Sequence, residues 1–288
     1  MKLQNFIQAG LKTQIRLWAL FSKQRAGNKA FKIFCTPFGK TNYATTAVLQ
    51  TAETLQLTCN GTPLRGYRWN KGASKKLLIA HGFRSHTQRF DHLIPPLIKR
   101  GYEIIAFDAP AHGLSGGKQI NAIDYTDTIQ VVTGVYGPFD AYLAHSFGGL
   151  AVVLSVAAQP QNENKKIVLF APATDAQALA NTFLKAMAVT DPFIQKHFYN
   201  NVTRLSDGKA LNWFSMERCL PLIKSQILWI QDAADPVIPV QEAVAIRKRQ
   251  HPNIEFVFTD GLGHSGIYRD AALLNKVYAF LATETQNH

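Results

Sequence analysis

The 288-residue chain is short of several things at once, and each shortage removes a class of protein. Its three cysteines, Cys35, Cys59 and Cys219, are widely spaced and odd in number, which argues against a disulfide framework or a thiol-built zinc site and makes a reducing cytoplasm the expected setting. No apolar run approaches the ~18 residues of a membrane span. The longest run near the start, Leu17-Trp18-Ala19-Leu20-Phe21, is too short for a signal-peptide core, so no export is expected. The nine histidines show no His-Glu-x-x-His or comparable ligand spacing, and no Gly-x-Gly-x-x-Gly follows a strand. Gly39-Lys40-Thr41 hints at a phosphate loop, but the glycine that loop needs at position 34 is Phe34. No metal and no cofactor are therefore expected.

Acid is missing from one end. Met1 to Lys40 holds eight Lys or Arg and no Asp or Glu, leaving 23 basic residues against 19 acidic ones, a net +4, for the remainder of a chain whose total is +12. A charge confined to one end, with no recognition module, argues against a nucleic-acid partner. Leu3, Phe6, Ile7, Leu11, Ile15 and Trp18 recur at three or four with Lys12, Arg16 and Lys23 between them, which predicts a basic amphipathic helix ended by Thr36-Pro37-Phe38-Gly39. Its apolar face either packs on the body or rests on an anionic membrane, a peripheral contact through residues 1–40.

What is present is a core. Hydrophobic residues make up 47% of the chain. Leu55 to Thr58 and Leu64 to Trp69 flank Asn60-Gly61, a strong hairpin signal. Short apolar runs follow at Lys76 to Ala80, Glu103 to Phe107, Ala141 to Ala144, Ile167 to Phe170, Ile227 to Ile230 and Ile254 to Phe258. Helical stretches such as Gly149 to Ala158, Val240 to Arg249 and Asp270 to Ala282 separate most of them. The alternation predicts an α/β class with a mostly parallel, doubly wound sheet. More than 50 residues lie between the runs ending at Phe170 and starting at Ile227, far beyond the usual connection of about 2–6. The expected organisation is an N-terminal helix and linker over 1–50, a core over 51–172 and 222–288, and a helical cap over 173–221. Phe183, Met187, Phe198 and Trp213 in that cap are candidates for an apolar substrate pocket, or for glue between cap and body.

The chemistry is carried by Ala144-His145-Ser146-Phe147-Gly148-Gly149, which sets a serine between small residues where a strand runs into a helix. Ser146 is followed by Asp235 and then His264, each just past an apolar strand. A serine hydroxyl needs an imidazole to take its proton and a carboxylate to orient that imidazole, and the order Ser, Asp, His is that of α/β-hydrolases. The backbone N–H of Phe147, and that of Phe83 after the third strand, are the expected oxyanion donors. His81, His112 and His145 are expected to tie loops around the site.

His81-Gly82-Phe83-Arg84-Ser85-His86-Thr87-Gln88-Arg89-Phe90 resembles the HG-x-x-x-H-S-x-R-[YF] segment of monoacylglycerol lipase-like serine hydrolases of the α/β-hydrolase superfamily. Asp108 to Ser115 is similar to their D-x-P-G-H-G-x-S loop, and Ala144 to Gly149 to their G-H-S-x-G-G elbow. The likeness runs from about Leu55 to Ala282. Ala144 and Ala111 stand where the pattern has glycine, and Asp232 where it has glycine after the seventh strand. The resemblance implies an esterase or lipase-like enzyme acting on small acyl esters, with Asp235 as the acid. Asp232 and Asp175 remain the other candidates. Peptidase or carbon–carbon bond hydrolase activity would use the same triad, and a non-catalytic ligand-binding protein could keep the fold.

Overall fold

The computed structural model describes residues 2–38 and 46–283, with the side chains of residues 2–6 excepted; Gly39-Lys40-Thr41 lies outside the described residues, as do the side chains of Leu3 and Phe6. In chain order the helices are α1 (Lys2–Phe21), α2 (Lys23–Phe34), α3 (Ala47–Gln50), α4 (Ile94–Ile98), α5 (Ala122–Tyr136), α6 (Phe147–Ala157), α7 (Ala176–Ala186), α8 (Pro192–Leu205), α9 (Met216–Cys219), α10 (Val240–Arg247), α11 (Gly263–Gly266) and α12 (Ala271–Ala282). The strands are β1 (Glu53–Cys59), β2 (Thr62–Trp69), β3 (Lys75–Ala80), β4 (Tyr102–Phe107), β5 (Ala141–His145), β6 (Lys166–Phe170), β7 (Gln226–Asp232) and β8 (Ile254–Thr259).

These strands make one sheet in the order β1-β2-β4-β3-β5-β6-β7-β8. β2 alone runs against its neighbours, so the expected mostly parallel sheet is what the chain forms. The opening hairpin turns at Asn60 and Gly61, both at positive φ, as a tight two-residue turn between twisted strands requires. β4, β5 and β6 are buried along their whole length because helices cover both faces. Two apolar cores result. One side of the sheet packs Ile105, Tyr142, Leu169 and Trp229 against α5, α6 and the segment after β6; the other packs Leu77, Ile104, Leu143 and Leu228 against α12 and the residues around Phe90. Each buried Leu, Ile or Phe contributes about 1.5–3 kcal/mol.

The N-terminal segment differs from the single expected helix. Ser22 breaks it in two: at extended φ, its hydroxyl accepts from Arg25 N–H and caps α2. Leu11, Ile15 and Ala19 of α1 face the core, and Gln8 donates to the Ala186 carbonyl at the end of α7. α2 is pressed onto α8 so closely that a methyl placed on Gly27 would lie 2.6 Å from both His197 Cβ and the Ile194 carbonyl oxygen. Asn201, part of a glycosylation-like tripeptide, is buried in that contact, where it donates to Asn28 and to the His197 carbonyl. All three cysteines are free and buried, and burial pushes the Cys35 thiol up to about 12. Among the described residues no helix is long and apolar enough to cross a membrane.

Candidate active site

Ser146 sits between the last residue of β5 and the first of α6 at φ 54°, ψ −122°. A non-glycine residue there is strained by about 1–3 kcal/mol and persists only if its surroundings fix it. Here they do. Ser146 N–H donates to the Phe170 carbonyl, and its own carbonyl accepts from Gly149 and Ala173. A methyl on Gly148 would lie 2.5 Å from the His81 carbonyl oxygen and 2.6 Å from that of Ala80, and one on Gly149 would lie 2.7 Å from Pro172 Cβ. Glycine at both positions lets α6 start directly against the end of β3 and the turn after β6. Ala144, where the resembling pattern has glycine, is fully buried in register with Ala80 and Leu169.

His264 lies on α11, beyond the end of β8. Its Nδ1 is 2.7 Å from Asp235 Oδ2, and no other carboxylate contacts it among the described residues. Asp235 Oδ1 accepts from Val237 and Ile238 N–H, and Gln231 donates to Oδ2 at 3.3 Å. Burial raises the Asp235 pKa, but the bonds from His264, Ile238 and Val237 together outweigh it and hold the carboxyl below its ordinary value. Asp175 stands apart as the cap of α7, accepting from Ala178 N–H.

Asp232 has another task, which the sequence did not disclose. Its Oδ1 accepts from Ala234 and Gly263 N–H, and its Oδ2 from Thr259 Oγ1 and Leu262 N–H. One fully buried carboxylate therefore ties the turn that leads to Asp235 to the turn that carries His264. Burial raises its pKa and these four bonds overcome that, leaving it lowered.

Three histidines frame the elbow as neutral rings. His81 Nδ1 faces the Gly82 carbonyl while Nε2 accepts from Ala109 N–H; His112 Nδ1 faces the Pro110 carbonyl while Nε2 accepts from Arg84 N–H. Each ring donates once and accepts once, which only the neutral form can do. Burial lowers His81 to about 4, and burial with His81 beside it lowers His112 to about 3. His145 Nε2 lies 2.9 Å from the His264 carbonyl, and the two rings are 4.6 Å apart. His145 thus holds the backbone that carries His264 next to the elbow; burial, then His264, lower it to about 3. Asp108 closes the frame by accepting from Thr87 and Leu114 N–H.

The loop after β3 runs against the serine: a methyl on Gly82 would lie 3.1 Å from Ser146 Cβ. The rings of Phe83 and Phe147 meet edge to face at 6.0 Å. Neither residue's N–H has a hydrogen-bond partner among the described residues, so both stay available to an incoming oxygen. Among the described residues no hydrogen bond closes between Ser146 and His264; bonds of this kind commonly tighten only when substrate is bound. Of the residues singled out by sequence between β6 and β7, Phe198 is fully buried among Phe31, Phe34, Phe183 and Tyr199, where it joins α8 to α2. Phe183 also packs on Phe34, and Met187 is buried beside it. Trp213 is half exposed, with the Arg218 guanidinium over its ring.

Comparison with known proteins agrees with this architecture. The family model described as Serine aminopeptidase, S33 matches residues 72–215, half of the chain. A monoacylglycerol lipase of Mycolicibacterium smegmatis is 28% identical over 120 residues, 39% of this chain and 42% of its own. A serine hydrolase-like protein of Dictyostelium discoideum is 27% identical over 162 residues, 53% of this chain and 45% of its own. The chain thus spans less than half the length of these curated relatives. Among solved structures, the Pyrococcus furiosus esterase Pf2001 superposes with a TM-score of 0.64 at 21% identity, covering 88% of this chain and 97% of that one. The thioesterase domain of the curacin biosynthetic pathway gives 0.57 at 15%, covering 81% and 99%. The chain belongs to the Serine aminopeptidase, S33 family and has the α/β-hydrolase fold.

Proposed function

We propose that the protein hydrolyses carboxylic esters of small acyl compounds, thioesters included, through an acyl-enzyme on Ser146. The observation that carries this reading is the 2.7 Å contact between His264 Nδ1 and Asp235, held beside an elbow serine by His145. In the reaction, Ser146 Oγ attacks the acyl carbonyl while His264 Nε2 takes its proton, and Asp235 keeps the imidazole in the required tautomer. The oxyanion is received by the N–H groups of Phe83 and Phe147, each worth about 3–4 kcal/mol to the transition state. His264 then returns the proton to the departing alcohol or thiol. Water, deprotonated by the same imidazole, releases the acid and frees Ser146.

The same proposal treats residues 173–221 as a cap inserted into a core of 51–172 and 222–288, with 1–50 as an added N-terminal unit. α7 and α8 support it, since they lie between β6 and β7 and pack on α2. Phe183, Met187, Phe198 and Trp213 are the proposed acyl-chain residues of that cap, Phe183 and Trp213 offering the exposed surface and the buried Met187 and Phe198 backing them.

The family description favours a second reading, cleavage of an amide at a peptide N-terminus. Turnover of p-nitrophenyl esters of graded chain length beside aminoacyl p-nitroanilides separates the two. Ester turnover that exceeds anilide turnover at every chain length supports the first reading; the opposite ranking replaces it with the second.

A further inference from the structure

The four helices α1, α2, α7 and α8 contain ten Lys or Arg and not one Asp or Glu. They are one unit. α2 packs on α8 through Gly27, Phe31 and Phe34, and α1 reaches α7 through Gln8. With +12 on the whole chain, most of the net charge lies in this four-helix unit. The two carboxylates at its margins are helix caps, Asp175 on α7 and Asp191 on α8, and Asp191 is also paired with Lys23.

At one corner of this unit the surface is apolar instead of polar. Leu17, Leu20 and Phe21 project from α1 opposite its core-facing Leu11, Ile15 and Ala19, and are 52%, 79% and 79% exposed. Phe193, in the first turn of α8, is 66% exposed, and it and Phe21 each lie two residues from the Lys23–Asp191 pair that joins the two elements. Arg16, Lys23, Arg25 and Lys196 are exposed or half-exposed on the same helices. A polyanion would be served by the charges alone and gives no reason for four large apolar side chains in water. A lipid surface uses both, with the apolar tips in the acyl boundary and the bases among the headgroups.

We propose that the protein docks on anionic membrane surfaces through this corner, Leu17, Leu20, Phe21 and Phe193 inserting while the surrounding Lys and Arg neutralise anionic headgroups. The docking face is the side of α1 turned away from its core-facing Leu11 and Ile15. Because α7 and α8 belong to the proposed cap, docking brings the cap side of the molecule to the bilayer. Binding itself asks nothing of Ser146 and can be measured in the Ser146→Ala protein, so the two proposals fail separately.

The test is co-sedimentation of the full chain with phosphatidylcholine vesicles, with and without phosphatidylserine, at low and high salt. Binding to the anionic vesicles alone, weakened by salt, is expected. Leu20→Ser with Phe21→Ser should reduce it by on the order of tenfold per side chain at unchanged charge, and Phe193→Ser should weaken it from the cap side. Arg16→Gln and Arg25→Gln should each cost about fivefold, the equivalent of about 1 kcal/mol per basic residue. Melting temperature and turnover of a soluble ester should hold in Arg16→Gln and in the double serine variant. Failure to sediment with anionic vesicles at low salt overturns the proposal. So does equal binding by the parent and the double serine variant, which would reduce the effect to charge adsorption. A concentration-dependent dimer that the double serine variant abolishes would overturn it in favour of a second copy of the chain.

Discussion

Acidification from pH 7 to pH 5.5 should weaken the fold through His81, His112 and His145. All three are buried neutral, at about 4, about 3 and about 3 against an unfolded value of 6.5. Their folded values lie below the unfolded one, so between the two the unfolded chain binds more protons. Stability is fully present above 6.5 and is lost as pH falls. At pH 5.5 an unfolded histidine is protonated about ten to one while these three remain neutral, which costs about 1.2 kcal/mol each relative to pH 7, or about 4 kcal/mol together. That is a large part of the 5–15 kcal/mol typical of a domain. His86, lowered by burial, adds in the same direction. Burial raises the carboxyls of Asp91, Asp124, Asp175 and Glu242, which oppose this, but from 3.8 or 4.5 they act mainly nearer their own range. Urea unfolding at pH 7, 6 and 5.5 reads the effect directly, and His112→Asn should remove about a third of the slope. A free energy of unfolding that is flat across this window would refute the assignment of these rings as buried and neutral.

Asp235→Asn should lower ester turnover by on the order of 10⁴ with little change in melting temperature, and Asp175→Asn should leave turnover near the parent value; kinetics of both variants check this. Asp232→Ala should behave differently from either, losing at least about 3 kcal/mol of stability as four buried donors lose their acceptor, with turnover falling because the turns bearing Asp235 and His264 come apart; denaturant titration beside the kinetics separates the two effects. Gly148→Ala should cost about 1–3 kcal/mol by overpacking against the Ala80 and His81 carbonyls, and should lower kcat by displacing the Phe147 N–H. Ala111 sits at φ 65° where the resembling motif has glycine, so Ala111→Gly should be neutral to stabilising by up to about 1 kcal/mol, relief of the left-handed strain offsetting the glycine's entropy, as a melting curve would show.

Most of the sheet was legible because buried parallel strands are short apolar runs bounded by turn residues. The runs at Lys76, Glu103 and Ile167 begin within one residue of β3, β4 and β6. The elbow was legible because the steric demand on Gly148 is local. The break at Ser22 was harder to see, since the three-to-four periodicity carries past it and only the cap hydrogen bond to Arg25 N–H marks the new helix. The resembling pattern pointed to Asp235, but the task of Asp232 was hidden. Asp232 and Asp235 are three residues apart after the same strand, and what separates them is the path of a turn whose donors, Thr259, Leu262 and Gly263, come from the far side of β8. The fate of the aromatics between β6 and β7 depended on where α2 docks, and nothing within 173–221 encodes that. The same holds for α1, whose exposed Leu20 and Phe21 fall outside the helical face read from the sequence.

The central claim is that Ser146 is the nucleophile, and covalent capture of that side chain tests it most directly. A fluorophosphonate probe should label the parent protein, a labelled peptide containing Tyr142 to Gly149 should carry the adduct on Ser146, and Ser146→Ala should abolish both labelling and ester turnover while melting at the parent temperature. Undiminished labelling of Ser146→Ala, or an adduct mapped to another residue, would contradict the account.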